Sequence, residues 1–204
     1  MTENDIPRMI DMVFDLDGGT LPAAYPFALW AELIRLVPQL AEDKSVGVLP
    51  LRGTGSNEGL LLPKRAKLVM RLPAILAELA ASRLTGQQLE IAGNTVRLGA
   101  AKTRHIQSYP TIHAQLVTGT SDEVLFVEDI KKQMGELGVT GKLICGRRLA
   151  IKGGQESIQG YSLVLHDLKA EASLQLQYLG LGEDRQFGCG IFIPYKVISG
   201  LSED

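Results

Sequence analysis

The sequence predicts an α+β protein made of two consecutive copies of a β-α-β-β-α-β unit. Alternating apolar and polar residues mark strands, as in residues 8–16, and apolar residues three or four apart mark helices, as in 24–41. The two kinds of segment follow one another in the same order twice. Hydrophobic residues make up 45% of the 204 residues, which is enough for a packed core and too much for a disordered chain.

The first unit is read from the N-terminus to about residue 99. A proline suits the first turn of a helix, where its missing N–H would be unpaired anyway, so Pro73 is expected to open the second helix. A Gly-Asn pair between two apolar runs is typical of a hairpin turn, here Gly93 and Asn94. The predicted elements are, in order, a strand at 8–16, a helix at 24–41, strands at 45–51 and 66–72, a helix from Pro73, and a hairpin.

The second unit, residues 100–204, repeats that order. Residues 104–119 form one or two strands with a break at Pro110, and Thr120 and Glu123 form a capping box at the start of a helix. Two tandem units of this kind make two ferredoxin-like, or RRM-like, domains, 1–99 and 100–204. The remaining predicted elements are strands at 142–152 and 159–168, a helix at 169–179, and a last strand at 189–195.

Composition excludes several classes of protein. No apolar run approaches the ~20 residues that span a membrane. The N-terminus is acidic and has no apolar signal core, so we expect a cytoplasmic protein without a membrane partner. Cys145 and Cys189 form no pair motif, and the three histidines lack the spacing of metal ligands, so we expect neither a disulfide nor a metal site. The net charge of −2 argues against strong non-specific nucleic-acid binding but leaves room for a local basic face.

A glycine-rich loop, 180–190, lies between the last helix and the last strand. Nucleotide-binding glycine loops need a strand before them and a helix after them, which is the reverse of the order here. Two interpretations remain open. The loop is structural, with a helix cap at Gly180, or its glycines let the backbone approach a phosphodiester chain, with free N–H groups forming an anion nest and Arg185 adding a cation. The glycines concerned are Gly180, Gly182, Gly188 and Gly190.

Four segments resemble the RAMP superfamily of CRISPR-associated proteins, and within it the endoribonucleases that process CRISPR RNA. They are LQYLGLGEDRQFGCGIFIP (176–194), FDLDGGTLPAAYPFALWAEL (14–33), GVLPLRG (47–53) and RRLAIKG (147–153). The resemblance implies paired ferredoxin-like folds that bind the repeat of a precursor CRISPR RNA and cut it once. It implies attack by a ribose 2′-OH that leaves a 2′,3′-cyclic phosphate, without a metal ion or cofactor. It also implies that the product stays bound and that Cascade-type effector subunits are partners.

Attack by a 2′-OH needs a base, an acid for the leaving 5′-oxygen and a cation for the phosphorane. Members of the family often have a histidine at the start of the first helix, where this sequence has Tyr25. A tyrosine with a pKa near ~10 is a poor base, but its hydroxyl can orient the 2′-OH or act as an acid. Arg52 is the candidate for the phosphate cation. The three histidines, His105, His113 and His166, remain alternatives.

RNA contacts are predicted for five basic residues and the glycine loop. Because strand residues alternate faces, Arg147 and Arg148 can both face RNA only if their strand is bulged or ends there. Two other functions remain open: a protein that binds the repeat hairpin in an effector complex without cutting it, and a ferredoxin-like protein unrelated to RNA. The predicted RNA-binding residues are Lys102, Arg104, Arg147, Arg148, Lys152, Gly180, Gly182, Arg185, Gly188 and Gly190.

Overall fold

A computed structural model describes residues 7–56, 59–153 and 156–195. The acidic residues 1–6, on which the expected cytoplasmic location partly rests, lie outside these ranges. In the described part of the chain, every helix is too short or too polar to cross a membrane. The first half contains β1 (Met9–Asp17), β2 (Thr20–Leu21), α1 (Tyr25–Leu36), β3 (Gly47–Val48), β4 (Thr54–Ser56), β5 (Gly59–Leu61), β6 (Ala66–Pro73), α2 (Ala77–Leu84), β7 (Gln88–Ile91) and β8 (Asn94–His105).

The first sheet has five antiparallel strands in the order β3-β6-β1-β8-β7. Its central strand, β1, alternates as the sequence predicts: Met12, Phe14 and Leu16 are buried against the helices, while Asp15 and Asp17 are exposed on the other face. Helices α1 and α2 pack on the buried face, through residues such as Leu33 and Ala80. The strand order is that of a ferredoxin-like unit with β7 added at the edge.

The second sheet repeats this arrangement with four antiparallel strands in the order β10-β11-β9-β12. Its buried face packs against the helices through Phe126 and Ile130 of α3 and Leu176 of α4, opposite Leu163 and Leu165 of β11. The predicted α+β fold with two ferredoxin-like units is therefore confirmed. The elements are β9 (Ile112–Thr118), α3 (Glu123–Glu136), β10 (Lys142–Gly153), β11 (Glu156–His166), α4 (Ala170–Leu179) and β12 (Ile193–Pro194).

Several local predictions differ from the structure. The hairpin turns at Ala92 and Gly93, both with positive φ, because Asn94 already pairs with Ile91 in the ladder. The cap of α3 is Asp122, whose carboxylate accepts from the N–H groups of Val124 and Leu125. Between the predicted strands 45–51 and 66–72, the structure adds β4 and β5, which form a small sheet with β2. The predicted strand 45–51 is reduced to β3, and that at 189–195 to β12.

The join between the two units differs in detail from the predicted one. β8 continues as a single strand to His105, which pairs with Ile10 of β1, so the predicted boundary after residue 99 lies inside a strand of the first sheet. The division into 1–99 and 100–204 stays a prediction.

A buried arginine links the two halves. Arg71, 1% exposed, binds the Asp11 carboxylate on β1, with Nε 2.7 Å from Oδ1. Its Nη1 also donates to the carbonyl oxygens of Gln177, at 3.0 Å, and Phe192, at 2.6 Å, in the second half. Arg104 completes the cluster from the surface, with Nη2 2.9 Å from Oδ2 of Asp11. The C-terminal segment is thus fixed against the first sheet.

Candidate functional site

A cleft of about 330 Å³ lies where α1, β10 and the glycine-rich loop meet. The first half supplies its wall from the start of α1 and from Pro50, and the second half from β9, β10 and the loop. The lining residues are Ala23, Tyr25, Pro26, Pro50, Gln115, Leu116, Leu149, Ala150, Ile151, Lys152, Phe187 and Gly188. Three of the residues singled out from the sequence, Tyr25, Lys152 and Gly188, therefore come together from segments far apart in the chain.

Tyr25 begins α1 and is held by the segment after β3. The backbone N–H of Leu51 donates to the Tyr25 hydroxyl oxygen at 2.9 Å. Burial raises the pKa of Tyr25, and the hydrogen bond from Leu51 opposes this only in part. The phenol therefore keeps its proton at neutral pH and is a hydrogen-bond donor, not a base. Arg52, the next residue after Leu51, is exposed beside it.

The glycine-rich loop holds its own shape through the glycines. Gly180 ends α4 at φ 73° and ψ −171°, a conformation that only glycine adopts readily. The four glycine N–H groups all donate within the chain, so they are not free to form the predicted anion nest. Their acceptors are Leu176 O for Gly180, Gln133 Oε1 for Gly182, Arg185 O for Gly188 and Leu116 O for Gly190.

Arg185 is not the exposed cation that the sequence suggested. Its side chain is inside the protein, since the residue is 5% exposed, and it donates to three backbone carbonyls. Burial and the charge of Arg71 lower the pKa of Arg185 to about 10, so it remains charged at neutral pH. Its acceptors are Ser45 O at 3.1 Å, Tyr178 O at 3.1 Å and Gly190 O at 3.4 Å. Arg185 thus ties the loop to the segment before β3, where no RNA phosphate can reach it.

A bulge in β10 places the other predicted cations. Cys145 pairs with Leu163, but Arg148 pairs with Tyr161, so one extra residue lies in β10 around Gly146 and Arg147. This is the irregularity that the adjacent arginines require if both are to face RNA. Both are exposed, and Arg148 Nη2 donates to Gln159 Oε1 at 2.7 Å.

The family of this chain follows from comparisons with known proteins. The family model described as "Cas6 Crispr" matches residues 10–197. The chain belongs to the Cas6 family. A CRISPR-associated endonuclease Cas6 from Myxococcus xanthus (strain DK1622) is 35% identical over 187 residues, which is 91% of this chain and 81% of that protein.

Solved structures of other proteins have the same fold as this Cas6 family member. A structure described as "An RAMP protein binding different RNA substrates" aligns with a TM-score of 0.70 and 11% identity, over 90% of this chain and 98% of its own. A Thermus thermophilus Cse3 bound to an RNA representing a pre-cleavage complex aligns at 0.53 and 14% identity, over 91% and 98%. The resemblance found in the sequence is confirmed.

The remaining predicted residues of this Cas6 family member lie apart from the cleft wall. Lys102 and Arg104 are exposed on β8, where Lys102 pairs with Val13 on the face of the first sheet opposite its helices. One relationship had no signal in the sequence: the charge of Arg52 acts on the His113 ring, although 61 positions separate them. In the described ranges no three His, Cys, Asp or Glu side chains are grouped so that they could hold a metal ion.

Proposed function

We propose that this protein is an endoribonuclease that cuts precursor CRISPR RNA within its repeats. The observation that carries this is the 35% identity to a curated CRISPR-associated endonuclease across 91% of the chain. The cleft between the two halves supports it, because it joins a phenol and a cation in a concave site. Family membership removes the alternative of a ferredoxin-like protein unrelated to RNA.

The proposed reaction is an internal transfer. The ribose 2′-oxygen bonds to phosphorus, the bond from phosphorus to the 5′-oxygen breaks, and the products are a 2′,3′-cyclic phosphate and a free 5′-hydroxyl. The exposed guanidinium of Arg52 binds the scissile phosphate and stabilises its added charge. The hydroxyl of Tyr25, which accepts from Leu51, donates its own hydrogen to the RNA and orients the reacting ribose. Lys152 on the facing wall attracts the backbone.

RNA is held by both halves of the chain, outside the cleft as well as in it, in this proposal. Lys102 and Arg104 on the first sheet and Arg147 and Arg148 at the β10 bulge are its exposed cations. The Thermus thermophilus Cse3 and the RAMP protein are described with RNA, which agrees with this assignment. Retention of the product and association with Cascade-type effector subunits are the further steps of the proposal.

The test is incubation of the purified protein with the repeat RNA of its own locus, labelled at the 5′ end, in EDTA. A single cut that leaves a cyclic phosphate is expected, and an RNA with a 2′-deoxyribose at the cut position should bind without being cut. Loss of cutting in EDTA would overturn the metal-free reaction. Tight binding of unmodified repeat without any cut would favour the second candidate, a hairpin-binding subunit, for which the replacement of the family histidine by Tyr25 is the supporting observation.

Single-residue variants test the roles proposed for Arg52 and Tyr25. Arg52→Ala should slow cutting about 100-fold, because it removes a charged donor to the phosphorane. Tyr25→Phe should slow it about tenfold, as expected for one lost hydrogen bond. Both should weaken binding much less. Tyr109→Phe, which removes another partly exposed phenol, is the control and should cut normally. Normal rates for Tyr25→Phe and Arg52→Ala would show that the site is elsewhere.

A further inference from the structure

His113 stands beside the cleft with its ring nitrogens unused. It lies in β9, where its side chain is half-buried and its neighbours across the ladder are Val164 of β11 and Ile193 of β12. Within residues 7–56, 59–153 and 156–195, no atom hydrogen-bonds to either ring nitrogen. The ring makes an edge contact with the Tyr195 ring, with centroids 5.5 Å apart. A polar group in such surroundings is available to a ligand.

The strand geometry directs this histidine towards the cleft. Residues two apart in a strand share a face and lie roughly 7 Å apart. Gln115 lines the same cleft as Tyr25, and His113 is two residues before Gln115 on β9. Its neighbours in the core-facing series, Ile112 and Ala114, are buried against the helices, so His113 is on the opposite, open face. The side chain of His113 therefore lies next to that of Gln115 on the same face of β9, at the edge of the cleft.

The second link is to Arg52. Burial lowers the pKa of His113 below its ordinary 6.5, and the charge of Arg52 lowers it further. The charge of Arg52 therefore reaches the ring, and Arg52 follows Leu51, whose N–H holds Tyr25. A neutral imidazole that feels the charge of a guanidinium suits a phosphate ester, because the imidazole can remove a proton while the guanidinium stabilises the added charge.

Resting on the proposed function, we propose that His113 is the base that accepts the proton of the attacking ribose 2′-OH while Arg52 holds the phosphate. As the new bond from the 2′-oxygen to phosphorus forms, that proton moves to a ring nitrogen of His113. The 5′-oxygen leaves and takes a proton from water, and His113 later returns its proton to water. The other histidines are less suited: His105 contacts Arg8 Nη2 at 3.2 Å, and His166 contacts Asp167 Oδ1 at 3.3 Å.

Single-turnover cutting of the labelled repeat RNA, with the protein in excess, tests this. His113→Ala should slow cutting at least about 100-fold, the range expected for a lost general base, and should change RNA affinity less than about threefold. In the wild type the rate should rise with pH through the pKa of His113, below 6.5. Among the described residues, the ring contacts Tyr195 and feels the charge of Arg52, and its ladder neighbours, Val164 and Ile193, are apolar. The variant should lose that rise, and added imidazole should restore part of its rate.

The controls separate the possible outcomes. His105→Ala should cut at the normal rate, with the same pH profile. His113→Gln, which keeps a polar side chain of similar size, should be as slow as His113→Ala and covers the case in which the alanine variant does not fold. Normal cutting by His113→Gln would overturn the role of His113 and leave the proposed function intact. Absence of cutting by the wild type would overturn both.

Discussion

Arg71 and Asp11 form a two-point ion pair across adjacent strands, with Nε 2.7 Å from Oδ1 and Nη2 3.2 Å from Oδ2. Both residues are buried, and Arg71 extends past the pair to the carbonyls of Gln177 and Phe192. A charge so deeply buried is tolerable only with all its partners in place. The contact between the two halves of the chain therefore depends on a carboxylate in the first strand.

Replacement of that carboxylate should be costly. Asp11→Asn leaves Arg71 buried without a counter-charge inside the sheet, and we expect it to lower the free energy of unfolding by about 3 kcal/mol near neutral pH. Urea unfolding measures this change. Asp17→Asn, at an exposed position of the same strand, is the matched control and should change it by less than about 0.5 kcal/mol. Equal stability of the two variants would contradict the role of Asp11 as the counter-charge of buried Arg71.

The same carboxylate should make stability depend on pH. Burial raises the pKa of Asp11, but the charges and hydrogen bonds of Arg71 and Arg104 outweigh it, so the pKa is below 3.8 in the folded protein. A lowered pKa means that the stabilisation is fully present above the unfolded value and is lost as the pH falls through the folded value. We expect wild-type stability to fall more steeply below pH 3.8 than that of Asp11→Asn, in urea titrations at each pH.

Alanine substitutions at two glycines with positive φ should distinguish the cost of backbone strain from the cost of a steric clash. Gly86 has φ +77° and open space around it, whereas a Cβ at Gly190, φ +64°, would collide with the carbonyl oxygen of Leu181. Gly86→Ala should cost about 1 kcal/mol, from the left-handed backbone alone. Gly190→Ala should cost about 3 kcal/mol, because overpacking is added. Thermal unfolding of both variants checks the difference, and equal costs would mean that the loop shifts freely.

Lys152 should contribute to affinity through the RNA backbone. Each phosphate contact releases counterions, so loss of one should reduce the slope of log affinity against log salt by about 0.7 on single-stranded RNA. Lys152→Ala is expected to show that reduction in binding titrations at several salt concentrations. Lys132→Ala, on the exposed side of α3, is the control and should keep the wild-type slope. An unchanged slope for Lys152→Ala would remove this residue from the RNA interface.

The sequence predicted what depends on local pattern. β1 and α1 were predictable because their buried residues follow the periods of two and 3.6. The turn at Ala92 and Gly93 was placed one residue late, because Asn94 suits a turn equally well and only the ladder decides. Asp122 was missed as the cap of α3 because Thr120 is an equally suitable capping residue by type, and only the hydrogen bonds from Val124 and Leu125 decide between them.

Relationships between distant segments had no local signal. The burial of Arg185 depends on the carbonyl of Ser45, 140 residues away in the chain, so the sequence showed only an arginine between glycines. The effect of the Arg52 charge on the pKa of His113 likewise arises from how the two units pack. The family resemblance supplied Tyr25 as a candidate, but the hydrogen bond that holds it is visible only in the structure.

The guanidinium of Arg185 also limits how far the cleft can open when a flexible substrate binds. It donates to Ser45 in the first half of the chain and to Tyr178 and Gly190 in the second half, so moving the halves apart would leave a buried charge without its acceptors. The width of the cleft is therefore set before any strand enters it. In the proposed function, binding therefore costs conformational entropy mainly in the RNA. Repeats that are already folded into a stem lose the least entropy on binding. Selection among transcripts then depends on the shape each one has before binding.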